Sequence, residues 1–276
     1  MTSTLVSGHF VHADRGSIFL LLRQPASLQG CVLMIPPFGE EMNKCRRMMT
    51  AVALALAEQR IASVIVDLYG TGDSAGEFAS ADWTTWRSDV VRAAQWCGER
   101  GLRVNALLAT RLGCPLAAAV VASGAIAPIE RSVLWQPMFD GARFLNHLLR
   151  LRLAALLAEQ DRKETMAELR ARFKNGEVVE IAGYELSSQL AGDLETLPRV
   201  ASLPPQFGDI HWIEIVREAG LPVPPASQQL IDSTRAAGGR VSCSLFAGEP
   251  FWTSTEIVEN AAVVRATVDA LCAKSA

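Results

Sequence analysis

Short, continuous apolar runs recur along most of the chain, and most are followed by a stretch with the spacing of an amphipathic helix. Such runs are typical of parallel strands that are buried on both faces. Residues 5–11 and 17–23 instead alternate loosely around a polar turn, which predicts an antiparallel hairpin. The alternation of strands and helices predicts an α/β fold: a mostly parallel central sheet with helices on both faces. The predicted buried strands are 31–35, 62–67, 105–110, 131–136, 210–216 and 241–246, and the predicted helices include 40–56, 83–100, 224–237 and 257–273.

The regular alternation stops between residues 140 and 207. In this stretch, residues 144–157 have the pattern of an apolar-rich helix, and residues 162–173 have that of a more charged one. We interpret 140–207 as a helical cap inserted over the sheet, so that 1–139 and 208–276 form the core. An amphipathic helix on a membrane surface is the alternative for 144–157. Its polar face is not rich in lysine and arginine, which favours packing on the protein.

Composition restricts the possible classes of function. The formal net charge is −3 and there is no long basic run, so we expect no nucleic-acid partner. The six cysteines are scattered without a C-x-x-C pair, which is typical of reduced core residues in a cytoplasmic protein. Neither a signal peptide nor a transmembrane segment is expected from the pattern. Metal-ligand spacing and phosphate-binding glycine motifs are also missing, so we expect no metal and no cofactor.

The most informative stretch is the junction of the predicted strand 105–110 with the small-residue helix after it. Ala109-Thr110-Arg111-Leu112-Gly113 keeps the frame of the G-x-S-x-G turn of α/β hydrolases, in which the apex serine is the nucleophile. The apex here is Arg111, which stays protonated and has no lone pair to offer. The sequence therefore predicts an α/β-hydrolase fold that lacks the usual reactive atom.

The other two members of a Ser-His-Asp set are also missing from their expected turns. The acid should precede Val223-Pro224-Pro225, and its place falls on Gly220; Glu218 nearby is a poor substitute. The base should stand in a G-H-x-F turn after the last strand, but Glu249 occupies that place. None of the four histidines stands at a triad position; they are His9, His12, His147 and His211. The triad-equivalent positions are therefore Arg111, Glu249 and Gly220.

Ligands of open parallel sheets bind at the carboxyl ends of the strands, where the remaining candidate residues lie. The loop after the predicted strand 31–35 could supply backbone amides to an oxyanion. Ser74, in a turn that resembles the D-x-x-G-x-G-x-S loop of these enzymes, is expected to be structural, and Cys114 is expected to be a small core residue. The predicted pocket and oxyanion-loop residues are Pro37, Phe38, Gly39, Glu40, Glu41, Asn43, Arg46, Leu112 and Trp252.

Three segments carry a more specific similarity. They are residues 36–48, which contain E-E-M-N-K-x-R-R-M, residues 67–76, which read D-L-Y-G-T-G-D-S-A-G, and residues 248–252, which read G-E-P-F-W. Together they resemble the type 2 hydrolases associated with the exosortase A, PEP-CTERM exopolysaccharide system. The resemblance implies a cytoplasmic protein with a hydrolase fold, encoded alongside exopolysaccharide and surface-sorting functions.

Two hypotheses follow for the function. The protein binds an unidentified small molecule or protein partner in the former active-site cleft, or it hydrolyses an ester, thioester or related acyl group by an unconventional site. A pure scaffold, with the cleft filled by side chains, is a third class.

We expect a carboxylate beside Arg111, because a guanidinium at a helix N-terminus is electrostatically disfavoured. The candidates are Glu40, Glu41 and Glu249, and the position of Glu249 in the base turn makes it attractive. The alternative is that the side chain of Arg111 extends to solvent. We also expect Glu40, Glu41, Asn43 and Arg46 to cluster near this turn.

Overall fold

An eight-stranded sheet forms the centre of the molecule in a computed structural model that describes residues 4–158, 164–254 and 256–273. The strands are ordered β1-β2-β4-β3-β5-β6-β9-β10 across the sheet. β1 is antiparallel to β2 and β2 to β4, while every other neighbouring pair is parallel. Their bounds are β1 Thr4–Ala13, β2 Gly16–Pro25, β3 Gly30–Ile35, β4 Ile61–Asp67, β5 Val104–Thr110, β6 Arg131–Trp135, β9 Asp209–Val216 and β10 Arg240–Ala247.

Helices cover both faces of this sheet, which confirms the predicted fold class. α2, α3 and α7 pack on one face and contribute to the larger apolar core, while α1 and α8 pack on the other face over a second core. The central strands β3, β4 and β5 are apolar and buried on both sides because they lie between these two layers. The bounds are α1 Glu40–Glu58, α2 Trp83–Glu99, α3 Gly113–Ala122, α7 Pro225–Ala236 and α8 Ala261–Cys272.

The last helix begins later than the sequence pattern predicts. We predicted a helix from residue 257, but α8 begins at Ala261. The side chain of Asn260 accepts hydrogen bonds from the backbone N–H groups of Ala262 and Val263, so it caps the helix and fixes its start.

Residues 140–207 lie between β6 and β9 in the chain, and we call them the inserted segment. It contains α4 Gly141–Ala158, α5 Met166–Lys174, the hairpin of β7 Val179–Ile181 and β8 Tyr184–Leu186, and α6 Ser188–Glu195. The predicted charged helix, 162–173, begins at Met166, where Thr165 and Glu168 form a capping box; residues 162 and 163 lie outside the described part. The hairpin and α6 were not predicted from the sequence pattern.

The apolar side of α4 faces the protein. Phe144, Leu145, Leu149 and Leu156 are buried, and the first three belong to the larger core. This packing supports the interpretation of residues 144–157 that we favoured over a membrane-surface helix. No helix in the described ranges is long and apolar enough to cross a membrane.

Candidate functional site

Arg111 stands at the apex of a sharp turn between β5 and α3. Its φ of +55° places it in the left-handed region, which L-residues other than glycine rarely adopt. Its N–H donates to the carbonyl of Trp135 on β6, at 2.9 Å. At Gly113 an added Cβ would lie 2.6 Å from the carbonyl oxygen of Ile35, so the close approach of α3 to β3 requires glycine there. The backbone thus has the geometry that the sequence frame 109–113 predicts.

The side chain of Arg111 forms a buried ion pair with Glu41. Nη2 donates to Oε1 at 3.0 Å, and Nε donates to Oε1 and Oε2 at 3.2 and 3.3 Å. Arg111 is 6% exposed and Glu41 is 8% exposed. Nη1 makes a longer bond of 3.4 Å to the carbonyl of Gln136. The carboxylate that we expected beside Arg111 is therefore Glu41, which lies in the first turn of α1.

Glu249 is not this partner, although its position in the turn after β10 made it attractive. It is exposed, and its contact is with the hydroxyl of Ser254. Two residues after the proline of the same turn, Trp252 lies over the guanidinium with its ring centroid 5.0 Å from Arg111 Cζ. Phe251 packs edge-on against Trp135 at a centroid distance of 5.4 Å. Burial of these two aromatic rings turns the loop so that Glu249 faces solvent.

The predicted cluster of four residues at the start of α1 divides among different partners. Glu41 pairs with Arg111, whereas the half-exposed Glu40 pairs with Lys44 at 2.9 Å. Nδ2 of Asn43 donates to the hydroxyl of Tyr184 on β8 at 2.7 Å. Nη2 of Arg46 donates to both carboxylate oxygens of Asp67, each at 3.0 Å. One helix N-terminus thus contacts the turn at Arg111, the inserted hairpin and the carboxyl end of β4.

The expected acid position carries no buried carboxylate. Gly220 has a φ of +87° and lies with Glu218 in an exposed loop after β9. The buried carboxylate of this strand is Glu214, which accepts from Nε1 of Trp212 at 2.8 Å and from the hydroxyl of Ser227. Burial raises the pKa of Glu214, and the charge of Arg111 opposes that rise. Glu214 was not among the predicted site residues, although a lone acidic residue in an apolar strand is a recognisable signal.

A pocket of about 110 Å³ lies between the inserted segment and loops at the carboxyl edge of the sheet. Glu41 and Trp252, which both contact Arg111, form part of its wall. The predicted residues Phe38, Gly39 and Glu40 line it as well, whereas Pro37, Asn43, Arg46 and Leu112 lie outside the lining. The complete lining is Phe38, Gly39, Glu40, Glu41, Lys44, Phe78, Phe144, His147, Leu148, Leu151, Ile181, Ala182, Tyr184, Leu186, Trp252 and Thr253.

His147 also lines the pocket, although it stands at no triad position in the sequence. It lies on α4 and is partly buried. Burial lowers the pKa of His147, while the charge of Glu41 raises it and that of Arg111 lowers it. The neutral imidazole is therefore favoured near pH 7. His147 is far in sequence from every triad position, so the sequence pattern did not indicate that it lies with Glu41 in the pocket wall.

The remaining nucleophile candidates are structural. The hydroxyl of Ser74 donates to the carbonyl of Asp67 at 2.6 Å and accepts from the N–H of Phe19 at 2.7 Å, so it ties the loop after β4 to β2. Cys114 is fully buried, and burial raises the pKa of its thiol well above the usual value. All six cysteines are free. Among the described residues, no group of three or more histidine, cysteine and acidic side chains could hold a metal ion.

The strand order, the left-handed turn after β5 and the helices on both faces define an α/β-hydrolase fold, and the chain has this fold. No protein-family model matches the sequence. The search of curated proteins also finds no match.

Similar solved structures come from esterases and lipases. Est1E from Butyrivibrio proteoclasticus, bound to ferulic acid, is similar with a TM-score of 0.70 and 13% identity, over 95% of this chain and 96% of that one. A soluble variant of the monoglyceride lipase of Saccharomyces cerevisiae gives 0.63 and 12%, over 98% and 94%. The α/β hydrolase GrgF from Penicillium sp. sh18 gives 0.60 and 14%, over 97% and 98%. At these identities the similarity shows the fold alone.

Proposed function

We propose that this protein binds a small, largely apolar molecule in the pocket above Arg111 and does not acylate a nucleophile there. Arg111, Glu249 and Gly220 take the positions of nucleophile, base and acid in this proposal. The observation that carries it is the buried pair of Arg111 and Glu41 at the apex of the turn. A guanidinium has no electron pair to offer an acyl carbon, and its fork is already held by a carboxylate.

The charge of Glu41 also argues against ordinary acyl transfer. Ester hydrolysis through a serine nucleophile needs hydrogen-bond donors around the oxygen that becomes negative in the transition state. Here the pocket wall beside the turn contains the carboxylate of Glu41. Without a donor in its place, this group repels a developing oxyanion. The apolar walls and the pair of opposite charges instead suit a ligand that is retained unchanged.

We further propose that the protein serves the exosortase A-associated exopolysaccharide system in the cytoplasm, with residues 140–207 as the cap of the binding domain. The support is the E-E-M-N-K-x-R-R-M stretch that carries the sequence resemblance. Its residues Glu41, Asn43 and Arg46 make the contacts that join α1 to the turn, the inserted hairpin and the carboxyl end of β4. The motif is therefore tied to the construction of this pocket.

An acyl hydrolase of unconventional mechanism is the second candidate. The esterase and lipase folds among the similar structures favour it. The specific observation is that His147 and Glu41 line one pocket, so the two side chains could hold and activate a water molecule. Ester or thioester turnover that is lost in His147→Ala and in Glu41→Gln, with both variants folded, would support this candidate over simple binding.

A pocket-filling variant tests the proposed binding. Leu151 on α4 lines the pocket and is 39% exposed, so Leu151→Trp should fill the mouth without disturbing the core. Leu157, on the same helix and 72% exposed, lies outside the pocket lining and provides the matched control Leu157→Trp. We expect saturable binding of toluene or benzyl alcohol by the wild type and by Leu157→Trp, measured by calorimetry or NMR titration. Leu151→Trp should lose it.

Two results would contradict the proposed binding. If neither probe binds the wild type saturably, or if both tryptophan variants bind like the wild type, the pocket is not the binding site that we propose.

A further inference from the structure

The polar atoms of the pocket restrict the kind of ligand it can accept, if the protein binds a small molecule as proposed above. Glu41 lines the pocket, and an ionised carboxylate can only accept hydrogen bonds. Its Oε1 accepts two bonds from Arg111, at 3.0 and 3.2 Å, whereas Oε2 accepts a single longer one of 3.3 Å. Each carboxylate oxygen has about two acceptor sites. Oε2 therefore has capacity for a donor from the ligand.

The charges that line the pocket are already matched in pairs. Arg111 compensates Glu41, and Lys44 pairs with Glu40 at 2.9 Å. An acid would bring a second negative charge beside Glu41, and an ammonium group would bring a positive charge beside Arg111. In either case the added charge would be desolvated without a free partner, which is costly in an apolar site. A neutral polar group avoids this cost.

His147 supplies a second polar group to the same pocket. A neutral imidazole carries one N–H donor and one acceptor nitrogen. A hydroxyl group can donate to Glu41 and accept from such an N–H at the same time. A thioether or a hydrocarbon cannot donate, and an ester can only accept.

The size and the walls of the pocket limit the apolar part of the ligand. The walls are mainly aromatic and aliphatic, including Phe38, Phe78, Phe144, Leu148 and Trp252. An enclosed apolar cavity of about 150 Å³ holds a benzene molecule. This pocket, at about 110 Å³, is smaller, but it is open beside the 39% exposed Leu151, so one ring or a short alkyl chain is the largest apolar group that it can take.

From these observations we infer that the pocket binds a neutral alcohol with one aromatic ring or a short aliphatic chain, whose hydroxyl group donates to Glu41. A preference for a neutral alcohol distinguishes this pocket from a hydrolase site that binds the acid product of ester cleavage, because Glu41 repels a carboxylate.

A matched set of one-ring probes tests the assignment on the unmodified protein. Benzyl alcohol, benzoate, benzylammonium and toluene share a ring and differ in the polar group. We expect benzyl alcohol to bind at least about tenfold more tightly than benzoate or benzylammonium near pH 7.5, and measurably more tightly than toluene, by calorimetric or NMR titration. In Glu41→Gln the preference for alcohol over benzoate should shrink severalfold, while Glu259→Gln, which removes a carboxylate from an exposed pair with Arg47, should keep it.

The outcomes distinguish the ligand class from the binding site. Benzoate binding as tightly as benzyl alcohol, or toluene binding equally well, overturns the alcohol assignment while leaving the pocket as a binding site. Failure of all four probes to bind overturns the proposed function itself. Because the comparison of probes uses the wild-type protein, it holds even if Glu41→Gln does not fold.

Discussion

At the scale of single residues, Arg111 stands where the G-x-S-x-G pattern has serine, and its charge determines which side chains can lie beside it. The left-handed backbone of Arg111 is a separate source of strain. A cation at the start of a helix is electrostatically disfavoured unless an anion lies beside it. The sequence therefore predicted a carboxylate partner. It did not single out Glu41 from Glu249, because that choice depends on which face of α1 turns inward and on how the two aromatic residues after Pro250 pack.

Replacement of Arg111 measures how much the buried pair contributes to the stability of the fold. Arg111→Ala should lower the free energy of unfolding by roughly 3–5 kcal/mol, because it leaves the buried Glu41 without its partner. Urea denaturation followed by circular dichroism gives this quantity. Arg217→Ala, an exposed arginine in the loop after β9, is the matched control and should stay within about 0.5 kcal/mol of the wild type.

The double variant isolates the coupling. Arg111→Ala combined with Glu41→Ala should recover part of the loss, since no buried charge is then left unpaired. Equal stability of Arg111→Ala and the wild type would show that the pair contributes nothing to folding.

At the scale of elements, α1 and α2 hold the loops that surround the pocket. α2 begins where Asp82 accepts from the N–H of Thr85 at 2.7 Å, and the periodic apolar positions of the sequence were enough to predict the helix. On the same helix, buried Asp89 accepts from the N–H of Tyr69 at 2.8 Å and so fixes the loop after β4. Nothing in the spacing of the sequence distinguished this aspartate from a solvent-exposed one.

The burial of Asp89 predicts a specific pH dependence. Desolvation raises the pKa of Asp89 from 3.8 to about 6. Its native form therefore takes up a proton at higher pH than its unfolded form, so this contribution to stability is complete below about pH 4 and is lost as the pH rises through 6. The wild type should gain up to about 3 kcal/mol relative to Asp89→Asn when the pH falls from 7 to 4. Urea unfolding of both proteins across this range measures the difference; a difference that does not change with pH would contradict the assignment.

The elements that the sequence missed are short ones. β7 and β8 have three residues each, and α6 has eight, so their periodicity is too brief to read. Their hairpin nevertheless contributes Ile181, Ala182, Tyr184 and Leu186 to the pocket. The long strands and helices of the sheet were predictable because their burial on two faces leaves continuous apolar runs. The part of the pocket that comes from the hairpin was not.

At the scale of the whole molecule, the turn after β5 has the backbone geometry of a hydrolase turn, whereas its apex carries an arginine side chain. The left-handed apex and the close approach at Gly113 are set by the sheet and by α3, whatever side chain stands at the apex. The fold of Est1E is similar at 13% identity, which shows that very different sequences can form it. We propose that the buried pair of Arg111 and Glu41 stands at the position where hydrolases of this fold carry a nucleophile.

Intact-mass spectrometry after treatment with a fluorophosphonate tests this claim most directly. The reagent attaches covalently to an activated serine or cysteine and adds a defined mass. Arg111 offers no such atom, Ser74 is held in structural hydrogen bonds and Cys114 is fully buried as a thiol. The protein should therefore keep its unmodified mass, with only background hydrolysis of p-nitrophenyl esters in the same sample. A stoichiometric adduct on Ser74, Cys114 or any other residue, accompanied by ester turnover, would contradict the claim.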